Sequence, residues 1–120
     1  MLREMMKSKI HMARVTKTDL EYMGSLTIDR DLMDAADLVA GEKIQMVNVN
    51  NGFRLETYVI EGERGSGVIG VNGGAARHAH VGDTILAMSY CMVDDDQAKA
   101  WKPKIVFVDE KNRIKQESRE

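Results

Sequence analysis

Asn51-Gly52 stands between two strand-like stretches, Lys43 to Asn50 and Phe53 to Glu61. A two-residue type I′ turn needs positive φ at both central positions, and Asn-Gly meets that need better than almost any other pair. The dipeptide therefore predicts a β-hairpin and commits the middle of the chain to antiparallel sheet.

The flanking segments extend the same reading. Met6 to Thr16 alternates like a strand, with Lys9 and His11 on one side and Ile10 and Met12 on the other. Ser25 to Ile28, Val68 to Val71, Asp83 to Met92 and Lys104 to Val108 supply further strands. Asp29 offers an N-cap to a helix carrying Leu32, Ala35, Ala36 and Val39 and stopping at Gly41. Asp94-Asp95-Asp96 opens a second short helix that ends near Trp101. Asn72 to Ala76 reads as a small-residue loop or a single helical turn. Residues 111–120 carry few large apolar side chains and many charges, so they are expected to form a disordered tail after a single domain at 1–110. Many short strands with two short helices predict a mainly β fold, most simply a small closed barrel that leaves no free edge.

Composition narrows the function classes. One domain of 120 residues should bury roughly two-thirds of its unfolded surface. Aromatics are 5% of residues against nine methionines, so aliphatic and thioether side chains must fill the core. A net charge of -2 gives no field to attract nucleic acid or an anionic membrane. The single cysteine, Cys91, lies in an apolar strand and reads as a core thiol in a reducing compartment. No apolar run approaches the ~20 residues of a membrane span, and charges at Arg3, Glu4, Lys7 and Lys9 interrupt any signal-peptide core. The expectation is a cytoplasmic protein.

Three separated motifs carry the chemistry: Gly24-Ser25 within Glu21 to Asp29, Asn51-Gly52-Phe53-Arg54-Leu55-Glu56-Thr57-Tyr58, and Val71-Asn72-Gly73-Gly74-Ala75-Ala76. From Lys7-Ser8-Lys9-Ile10-His11 through about Pro103 the chain resembles the pyruvoyl-dependent aspartate 1-decarboxylases. The resemblance implies a double-psi β-barrel and a homotetramer with sites between subunits. It also implies decarboxylation of L-aspartate at its α-carboxylate to β-alanine, which supplies pantothenate and coenzyme A. The precursor would cut itself between Gly24 and Ser25 into fragments 1–24 and 25–120. The chain does not disclose whether a maturation factor assists that cut.

The residues support this chemistry in their own terms. A serine hydroxyl can attack the preceding carbonyl and turn an amide into an ester, helped by an oxyanion donor. Glycine at 24 would ease the backbone and unshield the carbonyl. Elimination then leaves dehydroalanine at position 25, and hydration with loss of ammonia converts it to a covalent pyruvoyl cofactor. Its ketone would form a Schiff base with the substrate amine and act as the electron sink that side chains lack. Arg54 presents a planar fork suited to a carboxylate. Tyr58 is the candidate proton donor to the carbanion. By resemblance, Thr57 is the oxyanion donor at Gly24, and Lys9 is the active-site lysine near the substrate carboxylate. Asn72, Gly73, Gly74 and Ala75 would approach substrate through their backbones, although the family pattern has Ala where Gly74 stands. Arg54 and Tyr58 share strand parity while Thr57 opposes them. Either a bulge re-aims one of them, or the site lies where both faces are reachable, such as a subunit interface.

Two other readings stand beside this one. A Ser25 N-terminal-nucleophile hydrolase would also self-cleave but keep its hydroxyl and amine. A non-catalytic barrel, such as a DNA-binding swapped-hairpin dimer, would want a basic face. His78-x-His80 with His11 could supply imidazoles from a strand face, but no acidic or cysteine partner is spaced to complete a metal site, so none is expected.

Overall fold

The computed structural model describes residues 1–119. Among them the elements run β1 (Leu2–Arg14), β2 (Lys17–Asp19), β3 (Ser25–Asp29), α1 (Arg30–Ala35), β4 (Lys43–Asn48), β5 (Arg54–Gly62) and β6 (Ile69–Asn72). A 3-10 turn (Gly73–His78) follows, then β7 (Thr84–Asp94), α2 (Asp95–Ala98), β8 (Lys104–Val108) and β9 (Ile114–Arg119).

The strands lie in the order β2-β6-β3-β5-β4-β7-β1-β8-β9. The order closes on itself because β1 runs almost directly into β2. At the junction, Val15 N donates to Asp83 O and Thr16 N donates to Ile69 O, both at 2.9 Å. A ring of β1–β2, β7, β4, β5, β3 and β6 results, with β8 laid parallel along Ser8 to His11 of β1. The expected closed barrel is therefore present. Its parallel pairs, β2 with β6 and β3 with β5, require the chain to cross the barrel ends.

The interior is aliphatic. Ile10, Leu26, Ile28, Ile44, Val59, Ile69, Val71 and Ile85 are all at most 1% exposed, joined by Met33 and Met46. Each such side chain contributes roughly 1.5–3 kcal/mol of transfer free energy. Methionine does less of this work than its abundance suggests, since Met1, Met12, Met23 and Met92 are exposed.

Several local expectations are corrected. Gly52 has φ 76 but Asn51 does not have positive φ, so the hairpin is not a type I′ turn. The loop is wider, closed by Gly52 N to Asn48 O and Asn48 N to Phe53 O, both 2.8 Å. α1 begins as expected, with the Asp29 side chain accepting from Asp31 N. It ends early because Asp37 enters the left-handed region at φ 56 and Leu38 N returns to Met33 O at 2.8 Å. That is a Schellman stop, and it leaves Val39 65% exposed. A register shift between Ile10 and Ala13 places Met12 at φ 62 and turns it outward, away from the Ile10 face. Cys91 is half-buried rather than in the core.

The tail is also corrected. Residues 114–119 pair antiparallel with β8, while Glu120 lies outside the described residues. Buried Asn112, at φ 60, ties the preceding turn down. Its amide donates to Arg14 O and Gly67 O, and its oxygen accepts from Arg14 N, each at 2.8 Å. Backbone pairing and that side chain order a segment whose composition promised little.

Candidate active site

Ser25 opens β3 and is wholly buried. Its Oγ donates to Met23 O at 2.9 Å and accepts from Asn72 Nδ2 at 2.9 Å. Asn72 is 1% exposed and sits opposite Ser25 in the antiparallel register of β3 and β6. Its amide also reaches Thr27 Oγ1 at 2.9 Å, so one buried side chain fixes two hydroxyls on the face opposite Leu26 and Ile28.

The other side of the bond is set by β5. Leu26 registers with Val59 and Thr27 with Ile60 in parallel pairing. Continued one and two residues back, that register would set Ser25 beside Tyr58 and Gly24 beside Thr57. The parity tension resolves here without a bulge, since β5 keeps unbroken register with β4 from Lys43–Tyr58 to Val47–Arg54. Thr57 and Tyr58 point to opposite faces of β5, so a peptide continuing that register has Thr57 on one flank and Tyr58 on the other. Gly24 and Thr57 line one open pocket of 470 Å³ with Leu55, Gly74, Ala75 and His78.

Arg54 and Lys9 are not brought to this place within one chain. Arg54 lies four residues from Tyr58, about 13 Å of extended strand, and its guanidinium donates to Gln45 Oε1 at 2.7 Å. Lys9 registers with Met88, which registers with Gln45, which registers with Glu56. Three strand spacings separate it from β5, about 14 Å across the sheet. Both residues lie on the outer face of the barrel.

Gly73 and Gly74 differ sharply in their surroundings. Gly73 has φ 67, and a Cβ there would stand 2.6 Å from the Gly24 Cα and N. A Cβ on Gly74 would meet nothing within 4 Å, so the alanine of the family pattern would fit without strain. The turn is also braced at its far end. Asn48 Nδ2 and Asn51 Nδ2 donate to His78 O at 2.9 and 3.0 Å, and the His78 ring stacks on Phe53 at 3.5 Å between centroids. The sequence of the Asn-rich hairpin loop signals a turn and gives no sign of these braces, which depend on non-local contacts. Asn48 Nδ2 also donates to Asp83 Oδ2 at 2.9 Å. That bond and the His80 N–H hold the Asp83 carboxyl below the usual carboxylate range.

His78 and His80 do not share a strand face. His78 ends the 3-10 turn, His80 follows outside any strand, and His11 packs edge-on against Phe107 at 5.5 Å. Among the described residues no group of three metal-ligating side chains comes together, and no helix is long and apolar enough to cross a membrane.

Comparison with known proteins follows the same lines. A rationally designed double-psi β-barrel protein, mkDPBB_sym_86, matches with a TM-score of 0.50 over 71% of this chain and 92% of that one. At 17% identity it speaks to the fold alone. The aspartate 1-decarboxylase of Thermoanaerobacter pseudethanolicus is 58% identical over 113 residues, 94% of this chain and 97% of that one. The aspartate 1-decarboxylase of Acetivibrio thermocellus is 60% identical over 110 residues, 92% of this chain and 87% of that one. The aspartate decarboxylase family model matches residues 1–115. A barrel that buries a serine hydroxyl beside a Gly-Ser bond, with this degree of likeness along nearly its whole length, belongs to the aspartate decarboxylase family.

Proposed function

We propose that this chain cuts its own Gly24–Ser25 bond and then removes the α-carboxylate of L-aspartate, giving β-alanine and CO₂. The observation that carries the first half is the Ser25 hydroxyl, wholly buried and held by Asn72 at 2.9 Å, next to a glycine that lines one pocket with Thr57. Family membership carries the second half.

Self-cleavage begins when Ser25 Oγ turns from Met23 O and bonds to the Gly24 carbonyl carbon. The C–N bond breaks, and the hydroxyl proton ends on the Ser25 nitrogen. Thr57, which lines one pocket with Gly24, donates to the oxyanion that forms on the way. β-Elimination releases the Gly24 carboxylate, and hydration with loss of ammonia leaves a pyruvoyl group at position 25. The residues fit such a group: position 25 is small and buried, and the neutral Asn72 amide donates to its oxygen. When formed, the pyruvoyl supplies a ketone conjugated to an amide, which takes the substrate amine and accepts the electrons left by departing CO₂.

The chain's own residues do the rest. Tyr58 shares the Ser25 face and delivers a proton to the carbon that lost CO₂. Gly74 and Ala75 line the pocket beside Gly24 and meet the substrate there, while Asn72 and Gly73 are buried behind them, against Ser25 and Gly24. Arg54 and Lys9 bind carboxylate from the outer face of a second copy, in a homotetramer whose sites lie between subunits. Their distance from Ser25 in their own chain supports that arrangement. The product feeds pantothenate and coenzyme A synthesis in the cytoplasm. Among the alternatives, a hydrolase would keep the Ser25 amine, and a DNA-binding barrel would have no use for a buried Ser25–Asn72 pair.

Ser25→Ala is the test. The variant should fold, remain whole and release no β-alanine from aspartate, since no hydroxyl is available to attack. A Ser25→Ala protein that still decarboxylates aspartate would exclude this origin of the electron sink.

A further inference from the structure

We infer that Gly73 is a positioning residue for self-cleavage: its missing side chain is the seat on which the Gly24 backbone rests while the Ser25 hydroxyl is held beside it. This rests on the reading that the chain cuts itself.

Three observations support it. Gly73 is buried at φ 67, and a Cβ there would stand 2.6 Å from both Gly24 Cα and Gly24 N and 3.0 Å from Tyr22 O. All three obstructing atoms are backbone, so no flexible side chain can swing aside. Gly24 itself is exposed, lacks positive φ, and a Cβ on it would meet nothing within 4 Å. The requirement for glycine therefore lies at position 73, not at position 24 where the sequence alone placed it. Finally, Gly73 directly follows Asn72, whose amide holds Ser25 Oγ at 2.9 Å. One short segment thus sets both reacting partners, the nucleophile through Asn72 and the acyl side through Gly73.

The consequence of adding a Cβ can be sized. Relieving a 2.6 Å contact to the 3.4 Å of an ordinary one moves Gly24 by about 0.8 Å, and a misplacement near 1 Å costs on the order of 10²-fold in rate.

The experiment compares Gly73→Ala, Gly73→Asn and Gly82→Ala with the wild type. Asparagine visits the left-handed region readily, so Gly73→Asn keeps the clash while sparing most of the backbone strain. Gly82, at φ 95 with open space around it, reports the effect of alanine strain alone. Folding is checked by circular dichroism and thermal unfolding, and processing is followed by intact mass over time. Hydroxylamine added to each sample traps any ester as a hydroxamate on Gly24. Expected are folded Gly73 variants that process about 10²-fold more slowly and yield almost no hydroxamate, with Gly82→Ala matching the wild type. A folded Gly73→Asn that cleaves at the wild-type rate overturns the inference. So does failure of both Gly73 variants to fold while Gly82→Ala folds, which would assign Gly73 to the barrel rather than to the bond. Wild-type protein that never cleaves overturns the self-cleavage reading itself, a separate outcome.

Discussion

Thr57→Val separates maturation from folding at one atom. Thr57 lines the same pocket as Gly24, where the β3–β5 register continued back two residues would put it. Valine keeps the β-branched shape that suits a strand and removes only the hydroxyl. Thr57 is half-buried, and its backbone pairing with Ile44 does not depend on the side chain. Stability should therefore move by less than about 1 kcal/mol. The oxyanion on Gly24 loses a donor, and one such donor is worth roughly 2.7–4 kcal/mol of barrier, or ~10²–10³ in rate. The two effects differ enough to be told apart. The assay is a time course of intact mass on freshly purified precursor, beside thermal unfolding of the same sample. Precursor should accumulate in Thr57→Val with almost unchanged unfolding, and Thr57→Ser should recover most of the rate. Wild-type kinetics in a folded Thr57→Val protein would refute the role.

Other outcomes follow from the same geometry. Arg54→Lys keeps the charge and loses the planar fork, so the Michaelis constant for aspartate should rise in fully processed protein; an unchanged constant removes Arg54 from carboxylate binding. Tyr58→Phe should self-process normally and then turn over ~10²–10⁴-fold more slowly, as measured by β-alanine release; normal turnover would point to another proton donor. Asp83 is held below its ordinary value by Asn48 and the His80 N–H, so the folded state binds fewer protons there than the unfolded state. Its contribution is fully present above the unfolded carboxylate value of 3.8 and is lost as pH falls through the depressed folded one. Asp83→Asn should accordingly flatten the acid side of the melting-temperature profile, and an unaltered profile would contradict this.

Much of this was legible before any coordinates. Lys104 to Val108 is a strand with the expected boundaries, because a proline and a charged turn bracket a continuous apolar run. The Gly24-Ser25 bond and the Thr57-Tyr58 pair draw their chemistry from the family resemblance, since neither motif is specific alone. What sequence could not supply was their adjacency, which depends on parallel pairing of β3 with β5, a non-local contact. Left-handed residues were equally hidden. Asp37 ends α1 and Met12 marks a bulge; aspartate visits positive φ more readily than most residues, but methionine gives no such sign. The edge strand β9 escaped for the opposite reason. Its order comes from main-chain pairing and from Asn112, outside the hydrophobic pattern that a sequence reading follows. Arg54 and Lys9 read as substrate-binding cations, but nothing in the sequence shows that one chain keeps them apart from the Ser25 site, about 13 Å along β5 and about 14 Å across the sheet.

The most direct measurement is the intact mass of the purified, aspartate-decarboxylating protein. Two fragments are expected, divided between Gly24 and Ser25, with the larger one ammonia lighter than a fragment that begins with serine. A larger fragment at the full serine mass would contradict the pyruvoyl assignment. A single uncut chain of 120 residues in fully active protein would contradict self-cleavage altogether.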